Sequence, residues 1–242
     1  MIRNDAIIIA HHHPTGILRS DTIELLERVS VTFKKVLLIS TFLKKDQLSF
    51  IPNNVEILIR ENYGYDFFSY RIGILALLGN GYDHIYVTNT SFVCVDIFQF
   101  ESSVLNASVD NSVFGISQSN QIADHMQSYF FAFPAVVYNR HDFISWWLHL
   151  VPLNIREEVI LTYELGFSKF LKSKNIGMTS IQHANEYGAD PTHITWKEIY
   201  EKTGIIKNSL IKNNPYNVDI SHLYTLSSNP KIANLLNQAL AN

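Results

Sequence analysis

The amino-acid sequence predicts an α/β fold, Rossmann-like, in which a mostly parallel central sheet is flanked by helices. Residues 6–10 form an unbroken apolar run of strand length, Ala-Ile-Ile-Ile-Ala, the pattern of a parallel strand buried on both faces. Runs of this kind alternate with helical patterns along the first third of the chain, and such alternation winds into right-handed βαβ units. The fourth run ends in the polar quartet Thr88-Asn89-Thr90-Ser91. That is the carboxyl edge of the sheet, where open α/β folds bind their ligands.

After the first strand, Ser20 or Asp21 caps a helix through Val29, with Ile23, Leu25, Leu26 and Val29 on its apolar face and Glu24 placed for a capping box. Residues 35–40 and 55–59 are the second and third strands, the latter following the turn Pro52-Asn53-Asn54. The polar and aromatic segment Asn62-Tyr-Gly-Tyr-Asp-Phe-Phe-Ser-Tyr-Arg71 opens a helix that runs to Leu78 and is closed by Gly79-Asn80-Gly81. Residues 84–88 are the fourth strand. A helix over 97–106, strands at 112–117 and 129–133, a helix over 141–150 and a longer one over 155–171, interrupted by Gly166, are expected to follow. The remaining third, around Trp196, Lys207 and Asn214-Pro215, reads as a short strand and two helices. No repeat, low-complexity tract or linker divides the sequence. One domain over 1–242 is therefore expected.

With 47% hydrophobic and 17% charged residues, the chain has the apolar content of a globular protein rather than of a disordered one. Its 19 basic and 22 acidic residues give a net charge of −3, and no run of either sign is long enough to neutralise a phosphate backbone. Nucleic acid is not an expected partner. The single cysteine, Cys94, forbids an internal disulfide, fits a reducing compartment, and reads as a small buried hydrophobe in a strand. The apolar stretches near the N-terminus and over 129–138 are too short for a signal-peptide core or a membrane span. The expected location is the cytoplasm, with any membrane contact peripheral, at the inner face of the plasma membrane.

Five ordered segments resemble the rhamnan synthesis protein F family of bacterial polysaccharide glycosyltransferases. They are residues 62–73, 82–91, 125–130 and 163–166, and the late pair Ile206-Lys207 with Asn214-Pro215. The resemblance runs from about residue 5 to 216 and implies a GT-A-like fold. It also implies a nucleotide-sugar donor, dTDP-rhamnose in the first instance, and a glycan or lipid-linked oligosaccharide acceptor. Residues 1–95 would then be the nucleotide-sugar-binding half, and 96–242 the acceptor half with the C-terminal helices. At one point the chain departs from the family, whose pattern after the fourth strand is Asn-Asp-Ser; here it is Asn89-Thr90-Ser91. The departure removes a carboxylate from the edge where such transferases hold a divalent cation against the donor diphosphate. No metal site is therefore assigned to the chain itself; Mg2+ or Mn2+ would be bound mainly through the donor diphosphate. Polar groups, backbone amides and helix termini could hold that diphosphate instead.

The residue types along this edge suit that chemistry. Asn62, Asp66, Ser69 and Arg71 open the helix after the third strand, and a helix N-terminus with a guanidinium attracts phosphate. Equally, Asp66 could simply cap the helix and Arg71 pair with a surface carboxylate. His11-His12-His13 follows the first strand; adjacent residues of an extended segment point to opposite sides, so a donor-contacting loop with His11 and His12 fits better than a zinc site. Thr88, Asn89, Thr90 and Ser91 complete the donor rim, and Lys207 is placed to meet the diphosphate. Glu164 is the candidate base for an inverting transfer, which needs a carboxylate to take the acceptor proton, although a solvent-facing helix glutamate would look the same. Asp124 is the second choice. His125, Gln127, Ser128 and Tyr129 would line the acceptor pocket, with Tyr129, Trp146 or Trp147 available to stack on a sugar face. Two other classes stay open: a non-catalytic nucleotide- or glycan-binding module, and a metal-dependent hydrolase built on residues 11–13.

Overall fold

A computed structural model describes residues 2–183 and 190–240. Four strands, β1 (Arg3–His11), β2 (Phe33–Ser40), β3 (Val55–Ile59) and β4 (His84–Asn89), lie in the spatial order β3-β2-β1-β4 with every neighbouring pair parallel. The sheet continues through β8 (Phe130–Pro134), antiparallel to β4, and β6 (Ser112–Ser119), antiparallel to β8. Two further strands pair with β6: β7 (His125–Met126), antiparallel, and β9 (Gly177–Gln182), parallel. Among the described residues, eight strands make up this sheet, and β7 and β8 alone run against the rest. The fold is the expected α/β one, with a mostly parallel sheet flanked by helices.

The period-two geometry of β1 explains why its apolar run is unbroken. Ala6, Ile8 and Ala10 face one core with Phe67, Tyr70 and Ile74, while Ile7 and Ile9 face the other with Leu25, Leu26 and Val29. The two helices responsible are α2 (Tyr65–Leu77) and α1 (Ser20–Thr32). α2 lies so close to β1 that a Cβ on Gly73 would meet Ile8 at 2.7 Å. Each fully buried side chain of this kind contributes about 1.5–3 kcal/mol.

Several elements differ from the sequence reading. The N-terminus of α1 has no side-chain cap; Ser20 N–H instead donates to Gln238 Oε1 at 3.0 Å, and Glu24 pairs with Lys231. Asp21 is withdrawn from capping because Arg19 holds it bidentately and Cys94 N–H donates to it at 2.9 Å. The helix expected over 97–106 begins as α3 (Ile97–Phe100), capped by Asp96, and widens into a π turn, Glu101–Leu105. α4 (Ala135–Tyr138) and α5 (His141–Leu148) follow β8. The long helix is α6 (Arg156–Val159), a π turn over Ile160–Glu164, and α7 (Leu165–Ser173). Gly166 sits inside α7 rather than interrupting the helix.

The last third holds more helices than the two expected. They are α8 (Pro191–Ile194), α9 (Trp196–Thr203), α10 (Asn208–Asn213), α11 (Ser221–Leu226) and α12 (Pro230–Leu240). Between α9 and α10, β10 (Ile205–Lys207) pairs antiparallel with β5 (Phe92–Cys94). Cys94 is buried in that strand, as expected. No described helix is long and apolar enough to cross a membrane.

Candidate functional site

A cavity of about 1280 Å³ opens at the carboxyl ends of β1 and β4. Three devices shape its walls. Arg60, just past β3, donates to the carbonyls of Glu61, Tyr63 and Tyr65 and to Ser69 Oγ at 2.6–2.8 Å. It thereby folds the turn in which Gly64 and Tyr65 take positive φ, 71° and 50°, and which delivers Asp66 into the first turn of α2. Arg19, buried against Asp21, reaches Thr90 O at 3.1 Å and also Phe92 O at 2.5 Å, fixing the chain after β4. The β5–β10 ribbon then lays Lys207 opposite Phe92.

The rim and the helix start form one hydrogen-bonded chain. Asn89 Nδ2 donates to Asp66 Oδ2 at 2.6 Å, Ser91 N–H and Oγ–H both donate to Asn89 Oδ1, and Lys207 Nζ donates to Ser91 Oγ at 2.8 Å. The Lys207 ammonium stands 4.1 Å from the centre of the Tyr129 ring, within cation–π range. Burial raises the pKa of Asp66, opposed by Lys207 and by the bond from Asn89. Burial lowers that of Lys207, opposed by Asp190, Glu164 and Asp66.

Glu164, which lines the same cavity, ends the π turn. Its Oε2 accepts from Ser128 N–H at 2.8 Å and from Ser128 Oγ–H, while its Oε1 lies 3.3 Å from His125 Nε2. Burial would raise the Glu164 pKa, but the bonds from His125 and Ser128 overcome it and hold the carboxylate below its ordinary range. His125 is raised: burial opposes its charge, but Glu164 and the carbonyl of Ala123 outweigh it. The two groups thus favour each other's charged forms. Glu164 is partly buried and lines the cavity, which sets aside the solvent-facing alternative.

Most of the sequence-expected residues come together here. His11, His12, Asn62, Asp66, Ser69, Asn89, Thr90, Ser91, His125, Gln127, Ser128, Tyr129, Glu164 and Lys207 all line the cavity. Three do not. Arg71 turns away to the carbonyls of Trp147 and Leu148 at 3.1 and 3.3 Å, tying α2 to the end of α5. Thr88 is fully buried and donates to Tyr129 O at 3.0 Å, joining β4 to the segment before β8. Asp124 pairs with Lys172 at 2.6 Å on the surface. The aromatic stacking reading is also corrected: Trp147 is buried in the core, Trp146 borders a separate groove, and Tyr129 lies 2% exposed beneath Lys207.

The histidine run does not converge. His11 bonds Ser40 Oγ, His12 bonds Thr41 Oγ1 and His13 bonds Thr15, and His12 alone is exposed. No group of three or more His, Cys, Asp or Glu side chains suited to a metal ion occurs among the described residues. This removes the geometric basis of the hydrolase reading.

Sequence reasoning missed Arg60, Asp190, His193, Asn208 and Ser209, all of which line the cavity. Asp190 accepts from Gln127 Nε2, Thr192 N–H and Thr192 Oγ–H, and lies 3.2 Å from His193 Nδ1. His193 Nε2 is 2.8 Å from Ser209 Oγ. Burial would raise the Asp190 pKa, but His193 and Thr192 drive it far below the carboxylate range. The signal was present: Asp190-Pro191 is a cap followed by proline at the first helical position.

A family model described as rhamnan synthesis protein F matches residues 38–233. An uncharacterized protein, y4gN, of Sinorhizobium fredii is 24% identical over 188 residues, covering 73% of this chain and 48% of its own length. The chain thus spans about half the length of that curated relative. Among solved structures, the 4-diphosphocytidyl-2C-methyl-D-erythritol synthase of Anaerococcus prevotii aligns at a TM-score of 0.46 and 12% identity, over 84% of this chain and 97% of its own. A protein provisionally described as a nucleotide-diphospho-sugar transferase, from Desulfovibrio desulfuricans, aligns at 0.39 and 10% identity, over 98% and 99%.

Proposed function

Because this chain belongs to the rhamnan synthesis protein F family, we propose that it transfers a sugar from a nucleotide diphosphate donor to a growing cell-surface polysaccharide. The observation that carries the reading is the convergence of Asp66, Asn89, Ser91, Lys207 and Glu164 on one cavity. A cationic, hydrogen-bonding rim suits a diphosphate; a carboxylate in the same cavity suits the acceptor's proton. The donor sugar is a hexose, rhamnose in the first instance, carried on dTDP. The acceptor is a lipid-linked oligosaccharide met at the cytosolic membrane face.

In an inverting transfer the acceptor oxygen attacks the anomeric carbon as the bond from that carbon to the diphosphate oxygen breaks. The electron pair leaves with the nucleoside diphosphate, and the acceptor proton passes to Glu164. Oε1, with His125 Nε2 alone beside it among the described residues, is the oxygen to receive it, since Oε2 already takes two bonds from Ser128. Glu164→Gln is expected to cut transfer roughly 100- to 10,000-fold, the ordinary worth of a positioned base, while donor affinity changes little. Unchanged turnover in a radiolabelled-sugar transfer assay would remove Glu164 from the role.

A second reading of the base rests on the Asp190–His193 pair. Its imidazole is held on one side by a carboxylate and points on the other to Ser209 Oγ, the arrangement of an oriented general base. Loss of transfer in His193→Asn with retention in Glu164→Gln would favour it. Donor binding with no transfer by the unaltered chain would instead favour the binding-module reading.

A further inference from the structure

Lys207 stands where the cavity's carboxylates have a cation to share. Ser91 Oγ is the one hydrogen-bond acceptor its ammonium meets among the described residues, which leaves two of its three N–H donors for a ligand. Asp190, Glu164 and Asp66 are the carboxylates that act on it. Its position is enforced twice, by pairing with Phe92 in the β5–β10 ribbon and by the Tyr129 ring beneath it.

The same carboxylates do not fit a divalent ion, which needs several oxygen ligands free to converge at about 2.0–2.6 Å. No three His, Cys, Asp or Glu side chains suited to a metal ion come together among the described residues, and Asp66 Oδ2, Glu164 Oε2 and Asp190 Oδ1 are already engaged, by Asn89, by Ser128 and by Gln127 with Thr192. The rim residue at which the family pattern places an acid is Thr90. Its backbone carbonyl is already occupied by Arg19 and Asn208.

We propose that the Lys207 ammonium serves as the resident cation for the departing diphosphate, so that donor binding and transfer proceed without an added divalent metal. This rests on the nucleotide-sugar reading above. Lys207 keeps its proton throughout: the broken bond's electron pair stays on the phosphate oxygen, the acceptor's proton goes to the base, and the ammonium neutralises charge without being consumed.

Calorimetric titration of the whole chain with dTDP-rhamnose, and with dTDP, UDP, GDP and CDP, in excess EDTA and again in Mg2+ or Mn2+, tests this. Affinity for the bound donor is expected to agree within about twofold between buffers. Lys207→Met is expected to weaken it roughly 10- to 100-fold in both, the worth of a charge-assisted hydrogen bond, whereas Lys207→Arg, which keeps the charge, loses less. Binding by the unaltered chain that EDTA abolishes and Mg2+ or Mn2+ restores overturns the metal-free claim while leaving the transferase reading intact. This arm uses no variant and so does not depend on how a variant folds. Absence of binding in every buffer overturns both together.

Discussion

His11 shows how the cavity's floor is held neutral. It is 3% exposed, bonded to Ser40 Oγ and Ile17 O, and burial pushes its pKa down to about 4 from 6.5. The folded chain therefore resists the proton that the unfolded chain accepts below pH 6.5. Stability from this group is complete above pH 6.5 and declines as the pH falls to about 4, where the folded form titrates too. The gap corresponds to about 3 kcal/mol at roughly 1.4 kcal/mol per pH unit. Replacing His11 with Asn is expected to flatten the decline in urea midpoint between pH 7 and 4.5; an undiminished decline would show that other groups cause it. Its place just past the expected first strand had marked His11 for the donor. What the sequence could not reveal was that β1 turns this ring inward and leaves His12 exposed. Arg60 was illegible for a related reason: one arginine after an apolar strand looks like a strand end, and its role exists only once three carbonyls have folded around it.

Elements were legible where an apolar run is long enough to register, the largely exposed β3 included. β1, β2, β4 and β8 announce themselves because both faces are covered and the apolar run is continuous. β5 and β10, three residues each, are too short for a period to register. The π turn over Ile160–Glu164 was hidden because its apolar spacing matches that of an ordinary helix. Widening there sets Glu164 at the C-terminal end of the turn, where Ser128 meets it, and such bulges recur at functional sites. The placement of Lys207 depends likewise on Gly204, whose φ is +71° and whose added Cβ would meet Asp96 O at 2.4 Å. Gly204→Ala is expected to destabilise the fold by roughly 1–3 kcal/mol and to weaken donor binding by shifting β10. Equal urea midpoints and equal donor affinity would show that the ribbon is not positioned through this turn.

At the scale of the whole molecule, two apolar cores sandwich the sheet and leave its carboxyl edge to polar residues. That division was readable from the strand-and-helix alternation. The later contribution of β10, α8 and α10 to the same edge was readable only in part, because polar residues scattered along short helices carry no period. The consequence is a cavity whose walls come from segments far apart in sequence, with Asp66, Asn89, Ser91 and Lys207 in one hydrogen-bonded chain and Glu164 held by Ser128 and His125. Hydrogen–deuterium exchange with and without saturating dTDP-rhamnose, or whichever nucleotide sugar binds, locates the ligand directly. Slowed exchange is expected over residues 62–69, 89–91 and 205–209, with none in the groove bordered by Trp146 and Phe170. Binding that leaves those three segments exchanging at their free rate would contradict the donor site at the sheet's edge and the transfer built upon it.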